Sequence, residues 1–428
     1  MRRSFLASIA LGAVALTTAS LAPRPSRAGE APPAPLPSRA DAPPVVLPRP
    51  EVATGAVPPD PPATPALVRL TLPPPDSMRD RPPLLDTEYA RKKEGRYFTG
   101  LPLANSDPTS GLGFGARVYF FDNGHRDDRR FGYTPYLHRV FAQAFFSTKG
   151  LQFHWLDYDA PLFADSSWRL RAALIVGRNT SQNYFGRGER SMGDLTYSGA
   201  GRTFARASDY TREIERILPG GQTRSHYDKY DLLRPSILLG TEKLLLGGRL
   251  RPFVGLGFSY NRVHDYTGED VVAPSTGGRG TLEVPELTTR LREDCDRGLL
   301  VGCDGGWENV LRLAVVYDTR DFEPDPNRGI MAEVSGELGS KLLGSDFTFA
   351  RVLTSVRGFW SPAPRLADVV LAGRLLYQVQ STGTPFFSQN ILPFSEDFRL
   401  GLGGVRTLRG YQQDRFVGNV MAVANAEV

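Results

Sequence analysis

The feature that most limits how this chain can fold is an alternation of apolar and polar side chains, in runs of ten residues or more, that returns all along it. From Leu250 to Asn261 one row carries Leu250, Val254, Leu256, Phe258 and Tyr260, and the other Arg251, Gly255, Gly257, Ser259 and Asn261. Successive side chains of a strand point to opposite faces, so one row can meet an apolar medium and the other water. Ala367 to Gln380 repeats the pattern, with Val369, Leu371, Leu375, Tyr377 and Val379 opposite Asp368, Arg374, Gln378 and Gln380. Ile330, Ala332, Val334 and Leu338 likewise oppose Glu333, Ser335 and Glu337. Beyond the leader no window approaches the ~18 apolar residues of a membrane helix, which excludes a helical membrane protein. It does not exclude a barrel, whose strands cross with about 9–11 alternating residues. A soluble sandwich also leaves one face polar. Mid-strand arginines such as Arg169 and Arg171, beside Trp168, Leu170, Ala172 and Leu174, suit a wet lumen better.

About twelve such segments occur, near 96–104, 111–121, 135–147, 150–159, 166–178, 226–244, 249–265, 308–319, 329–339, 345–359, 366–380 and 415–428. Short links, Leu245–Gly248 and Ser361–Pro364, take turns with long ones at roughly 179–225, 266–307 and 381–414. The long loops therefore share one side, expected to be the cell exterior. Asp209 to Leu218, in one of them, is expected to form a short helix. The last segment ends at Val428 without a terminal aromatic. An open edge in lipid would leave backbone groups unpaired, so the chain is expected to be incomplete at its C-terminus. The expected fold is all-β, an antiparallel transmembrane barrel over 87–428.

The N-terminus follows another logic. Met1-Arg-Arg-Ser-Phe-Leu, an apolar run to about Leu21 and Ser26-Arg-Ala28 give the charge, apolar and small-residue order of a secretory signal over 1–28. Arg2-Arg3-Ser4-Phe5-Leu6 also fits a twin-arginine export signal. Between Pro23 and Pro83 lie 20 of the chain's 35 prolines, with no period that would bury a face. Residues 29–86 are therefore expected to be a disordered linker, or a tether that recruits a separate periplasmic partner.

Composition narrows function mostly by exclusion. The net charge of +5 is spread along the chain, without the basic block that nucleic-acid binding would need. Cys295 and Cys303 are the only cysteines, and export exposes them to an oxidising compartment, so a loop disulfide is expected. The five histidines lie at no metal-ligand spacing, so neither a metal nor another cofactor is expected. Enzyme is the least expected class. No Gly-x-Ser-x-Gly is present, and Gly111-Leu-Gly-Phe-Gly115 lacks the strand-to-helix setting of a nucleotide loop. Its glycines are expected to bend the strand or to pack closely against a lumen plug.

Two motifs remain. Gly401-Leu-Gly-Gly-Val-Arg-Thr-Leu-Arg-Gly-Tyr411 sets Arg406 and Arg409 among Gly403, Gly404 and Gly410, just before the last strand. Tyr317-Asp-Thr-Arg-Asp321 precedes Pro326 and Gly329. In this order they resemble the signature loop and a periplasmic turn of the BamA/TamA superfamily of outer-membrane barrels, which includes the two-partner secretion transporters. Tyr184-Phe-Gly-Arg-Gly188 is a weaker third landmark, and the resemblance spans about Gly95 to Val428.

The resemblance implies sixteen strands, four of them beyond Val428, in the outer membrane of a Gram-negative bacterium. It implies that the signature loop folds into the lumen and that Arg409, with Gly410 and Tyr411, is held there by an acidic residue on a later strand, expected outside this chain. Gly403 and Gly404 would permit the tight entry, and a guanidinium can grip a carboxylate bidentately. Tyr317, Asp318, Arg320, Asp321 and Gly329 would form the periplasmic turn, or simply a charged cap on two strands. Glu323 and Asp325 do not complete a calcium-loop spacing. The periplasmic POTRA modules of assembly members have no counterpart in 29–86. Two readings of function follow: a barrel that inserts, assembles or translocates envelope-protein clients, and a passive pore or structural surface-antigen barrel. Lipid is a partner in both.

Overall fold

A computed structural model of the chain describes residues 73–79, 83–84, 86–107, 110–274, 280–321, 326–362, 369–395, 401–403, 407–411 and 414–428. These lie in one compact unit, Ala66–Val428. The signal segment and most of the proline-rich stretch are outside the described residues.

The alternating segments become β1 (Arg96–Asp107), β2 (Gly111–Asp122), β3 (His138–Ser147), β4 (Gln152–Ala160), β5 (Trp168–Asn183), β6 (Lys229–Lys243) and β7 (Leu250–His264). After a hairpin of β8 (Asp270–Pro274) and β9 (Thr281–Pro285) come β10 (Gly306–Asp318), β11 (Gly329–Gly339), β12 (Phe349–Trp360), β13 (Leu371–Gln380) and β14 (Val420–Glu427). Among the described residues twelve strands form one antiparallel sheet in chain order, with the β8–β9 hairpin apart in the loop between β7 and β10. Every neighbouring pair is antiparallel, as in Val315 opposite Val334 and Ser335 opposite Leu353. The sheet does not close, and β1 and β14 are its two edges. Among the described residues four short helices stand outside it: α1 (Asp86–Arg91), α2 (Glu189–Met192), α3 (Ala207–Ile214) and α4 (Arg290–Asp296). α3 occupies the first part of the stretch expected to be helical.

The pleat sorts side chains as the alternation predicts. On β11 Ile330, Val334 and Leu338 are exposed while Glu333, Ser335 and Glu337 are buried; on β7 Val254, Leu256 and Tyr260 face out while Arg251 and Asn261 are buried. Apolar outside and charged inside inverts a soluble protein, and it is stable only where the outer medium is apolar. Exposed aromatics mark the ends of the band. Trp168, Tyr317 and Trp360 lie toward one rim, Tyr260 and Trp307 toward the other. The ten steps from Trp307 to Tyr317 on β10, at about 3.4 Å each and a tilt near 40°, raise the chain by about 25 Å, the height of a barrel's apolar band.

The rim with short turns also holds the N-terminal segment. Met78 packs with Leu162 and Leu244, and Leu84 and Tyr89 with Phe131. The Leu84 amide donates to the Gly132 carbonyl (2.8 Å), and the Arg129 guanidinium to those of Pro73 and Pro74. Residues 73–79 and 83–84, expected to be linker, are thus docked on the rim, because Met78 and Leu84 supply the apolar anchors that the surrounding prolines lack. Gly113 and Gly115 also differ from expectation. They make room for the Phe145 ring of neighbouring β3 rather than for a plug.

Candidate lumen site

The inner face carries a lattice of alternating charges from strand to strand. Arg169 on β5 pairs with Asp159 on β4 (2.6 Å), Arg171 with Glu242 on β6 (2.9 Å), and Arg251 on β7 with Asp318 on β10 (2.9 Å). Nearer the opposite rim Glu337 on β11 is held by Arg312 on β10 (2.7 Å) and Arg351 on β12 (2.8 Å), and Arg351 also reaches Glu308 (3.2 Å). Buried charges persist only when paired and hydrogen-bonded, and here each cation meets a carboxylate of an adjacent or nearby strand.

These arginines have donors left over, and several spend them on one segment. After β13 the chain turns inward, and Phe386, Phe387, Leu392 and Phe394 are buried. Arg234 on β6 donates to the Phe387 carbonyl (2.7 Å), Arg351 to that of Ser388 (2.7 Å), Arg312 to that of Phe394 (3.2 Å) and Arg171 to that of Ser395 (2.9 Å). Gln378 and Gln380 on β13 donate to Ile391 and Gln389, and Glu333 on β11 accepts the Ser395 amide at 2.6 Å. Arg171 and Glu333 stand on strands with β6, β7 and β10 between them, yet both grip Ser395. The sheet must therefore curve around the segment, which occupies its concave side. Loop carbonyls have no ladder of their own, and a guanidinium with five N–H groups can serve a carboxylate and a carbonyl together.

Apolar packing completes the seat. Leu353, Leu376, Leu392, Phe394, Leu402 and Met421 form one buried cluster, and Tyr184, Tyr230, Leu232, Leu291, Val310, Phe347, Phe349, Phe386 and Phe387 another. The second joins the lumen segment to the long loops above it. Cys295 and Leu300 pack on it, Cys295 is disulfide-bonded to Cys303, and the Phe386 amide donates to the Val301 carbonyl at 2.9 Å. Within these loops Arg290 on α4 pairs with buried Asp228, which also accepts the Tyr210 hydroxyl of α3. Burial raises the Asp228 carboxyl above its ordinary range against the pull of Arg290, and raises the Tyr210 hydroxyl as well.

The signature loop itself departs from expectation. Arg409 lies at the sheet edge with its side chain 71% exposed and meets Glu427 on β14 at 3.2 Å. Among the described residues its carboxylate partner is Glu427, and the arginines that grip the lumen segment are others. Thr407 anchors this loop instead: its hydroxyl donates toward the carbonyls of Gly401 and Gly403 and accepts the Gly403 amide, and its carbonyl accepts from Asn425 of β14 (3.0 Å). Gly410 has φ +88°, outside the range most residues adopt, and Tyr411 stacks edge-on against Phe416. Gly404 and Arg406 lie outside the described residues.

Tyr317 and Asp318 end β10, and Thr319–Asp321 begin the connection to β11. Tyr317 points outward, Asp318 holds Arg251 and Arg320 (3.0 Å), and the Asp321 carboxylate accepts the amides of Asn327 and Arg328. Gly329 has φ +109°, and a side chain there would strike the Thr319 carbonyl at 2.4 Å. Through Arg251, Asp318 is also tied into the lumen lattice. Glu323 and Asp325 lie outside the described residues. Arg234, Arg312, Arg351 and Thr407 were not singled out from the sequence. The signal that could have found the three arginines is the one noted at Arg171, an arginine on the polar row in mid-strand; nothing comparable marks Thr407.

An apolar outer band, aromatic rims and a charged interior that grips an inserted loop define a β-barrel of the outer-membrane class. Residues 281–428 match the Omp85 superfamily domain, a span that takes in both the Tyr317–Asp321 motif and the signature loop. Residues 75–137 match a domain of unknown function (DUF5982), a span that joins the docked N-terminal segment to the rim loop receiving it. No curated protein matches the chain. Among solved structures, BamA from Haemophilus ducreyi lacking POTRA domains 1–3 aligns at 13% identity with a TM-score of 0.42. The alignment covers 78% of this chain and 53% of that one, so the chain spans about half its length.

Proposed function

We propose that this protein is an integral outer-membrane barrel that assists the insertion, assembly or translocation of envelope proteins, working with its lumen occupied. The observation that carries this reading is the segment Phe386–Ser395, seated by Arg171, Arg234, Arg312 and Arg351 through its backbone carbonyls. A passive pore needs an open, water-filled interior. Here Phe387, Leu392 and Phe394 are buried on the inner face and Cys295 of the loop disulfide packs on the cluster that holds Phe387, which favours an occupied interior over an open one. The superfamily is one of protein assembly and transport rather than of enzymes. The proline-rich 29–72 precedes the docked rim segment and is proposed to tether a separate periplasmic partner that supplies what POTRA modules supply elsewhere.

Outer-membrane proteome abundance after depletion of the full-length protein tests the reading. Loss of several unrelated barrels, or of one secreted client, is expected. An unchanged proteome together with steady single-channel conductance would replace this reading with the pore.

A further inference from the structure

The Tyr184–Gly188 landmark takes no part in pinning the lumen backbone at 387–395, and its arginine is used otherwise. Tyr184 donates its hydroxyl to Asp294 (2.8 Å), the Gly188 amide to the Val417 carbonyl (2.8 Å), and the Ser191 hydroxyl to the same carbonyl (3.1 Å). The disulfide fixes the neighbouring stretch that carries Leu299 and Leu300. Between these braced walls, on the long-loop rim, lies a cavity of about 360 Å³ lined by Arg187, Gly188, Arg190, Leu299, Leu300 and Asn419.

Its charge is unbalanced. Arg190 donates to Asp294 (2.7 Å), and Arg297 stands 4.0 Å from the same carboxylate, so one buried anion already serves two cations. Arg187 has no carboxylate partner among the described residues; its polar contact is the side-chain oxygen of Asn419. A guanidinium has five N–H donors, so most of those on Arg187 are available to a ligand. Glu189 is exposed and does not line the cavity. The walls are held by backbone hydrogen bonds and a disulfide, so little ordering is left to be done on binding.

We infer that this cavity binds a phosphate monoester carried on an amphiphile, specifically a phosphorylated glycolipid of the surrounding leaflet. A phosphate brings a charge of about −1.5 to −2 and three acceptor oxygens, which suits the two neighbouring guanidinia of Arg187 and Arg190 on one wall better than a planar carboxylate does. The cavity is larger than a phosphate needs, and Leu299 and Leu300 line the remainder with apolar surface.

The test titrates full-length, detergent-solubilised protein, shown to be folded by heat-modifiable gel mobility, with three probes by isothermal calorimetry. These are bisphosphorylated lipid A, the same lipid stripped of phosphate, and inorganic phosphate. Arg187→Ala is expected to weaken phosphorylated-lipid binding at least tenfold, with Arg187→Lys intermediate and Arg129→Ala, on the other rim, without effect. Dephosphorylated lipid should bind wild type no better than phosphorylated lipid binds the alanine variant. Inorganic phosphate binding as tightly as the lipid, and lost in Arg187→Ala, would reject the lipid and leave an ion site. Wild-type affinity in both Arg187→Ala and Arg190→Gln, or no phosphate-dependent binding at all, would overturn the inference. None of these outcomes depends on whether the barrel assembles clients.

Discussion

Replacing Arg351 with methionine tests the lumen site at its most connected residue. The side chain is fully buried, pairs with Glu337 and Glu308, and donates to the Ser388 carbonyl. Methionine keeps much of the volume and removes all three contacts. Glu337 retains Arg312 at 2.7 Å, but Glu308 loses the cation that the described residues give it. Breaking a buried pair from one side costs about 3–5 kcal/mol, most of it the stranded charge. If that cost falls on the seating of Phe386–Ser395, its opening equilibrium rises by about two to three and a half orders of magnitude, at one decade per ~1.4 kcal/mol. Hydrogen exchange reads this directly, because the amides of Gln389, Ile391 and Phe394 bond within the segment and that of Ser395 bonds to Glu333. Exchange there should accelerate by about that factor while the β2–β3 ladder, remote from the site, is unchanged. Adding Glu308→Gln removes the stranded charge and should recover more than half of the loss. Unchanged exchange at Phe386–Ser395 in a folded Arg351→Met barrel would refute the idea that the arginines hold the segment, as would a double variant no better than the single.

Replacing Cys295 and Cys303 together with serine should lower stability by about 2–3 kcal/mol for so short a loop, and should loosen Val301 and Phe386 in the same exchange experiment. Arg409→Ala should change stability by less than about 1 kcal/mol, because its pair with Glu427 is solvent-exposed on both sides; a chemical-denaturation shift several times larger would restore Arg409 as a structural brace. Lys92, on the short-turn rim, donates to the carbonyls of Phe131 and Thr134, and burial pulls its ammonium down to about 7. The released segment regains an ordinary lysine, so between pH 7 and 10 it binds a proton that the docked segment does not. Docking should therefore strengthen as pH rises through this window and be flat below it. Tryptic cleavage after Arg79 and Arg91 should slow accordingly, and Lys92→Met should abolish the dependence.

Much of this architecture is written in the order of residues. Strand periodicity is local: the pleat alone decides that Val334 and Glu333 face opposite ways, so the barrel class, the inner and outer rows and the alternation of short and long connections follow from β1 to β14 without reference to contacts. The pairing of Cys295 with Cys303 follows from composition and compartment in the same way. The docked segment was less legible, since two apolar anchors, Met78 and Leu84, are faint against so many prolines.

What only the tertiary structure decides is which partner each inward charge takes. Arg171, Arg234, Arg312 and Arg351 sit on four strands up to 180 positions apart, and nothing local distinguishes them from Arg374 or from the arginine of the signature loop. Their convergence on 387–395 depends on strand register and on the curvature that brings β5 and β11 to the same serine. Arg409 went the other way, since a motif fixes a residue's identity but not the surface it meets. The alternation of side chains settles on its own that this chain lines a polar interior within an apolar band, because the pleat has a period of two wherever a strand forms. What the interior holds is settled by long-range pairing, because a guanidinium can reach a carboxylate or a carbonyl on any strand that the folded sheet brings within 3 Å or so.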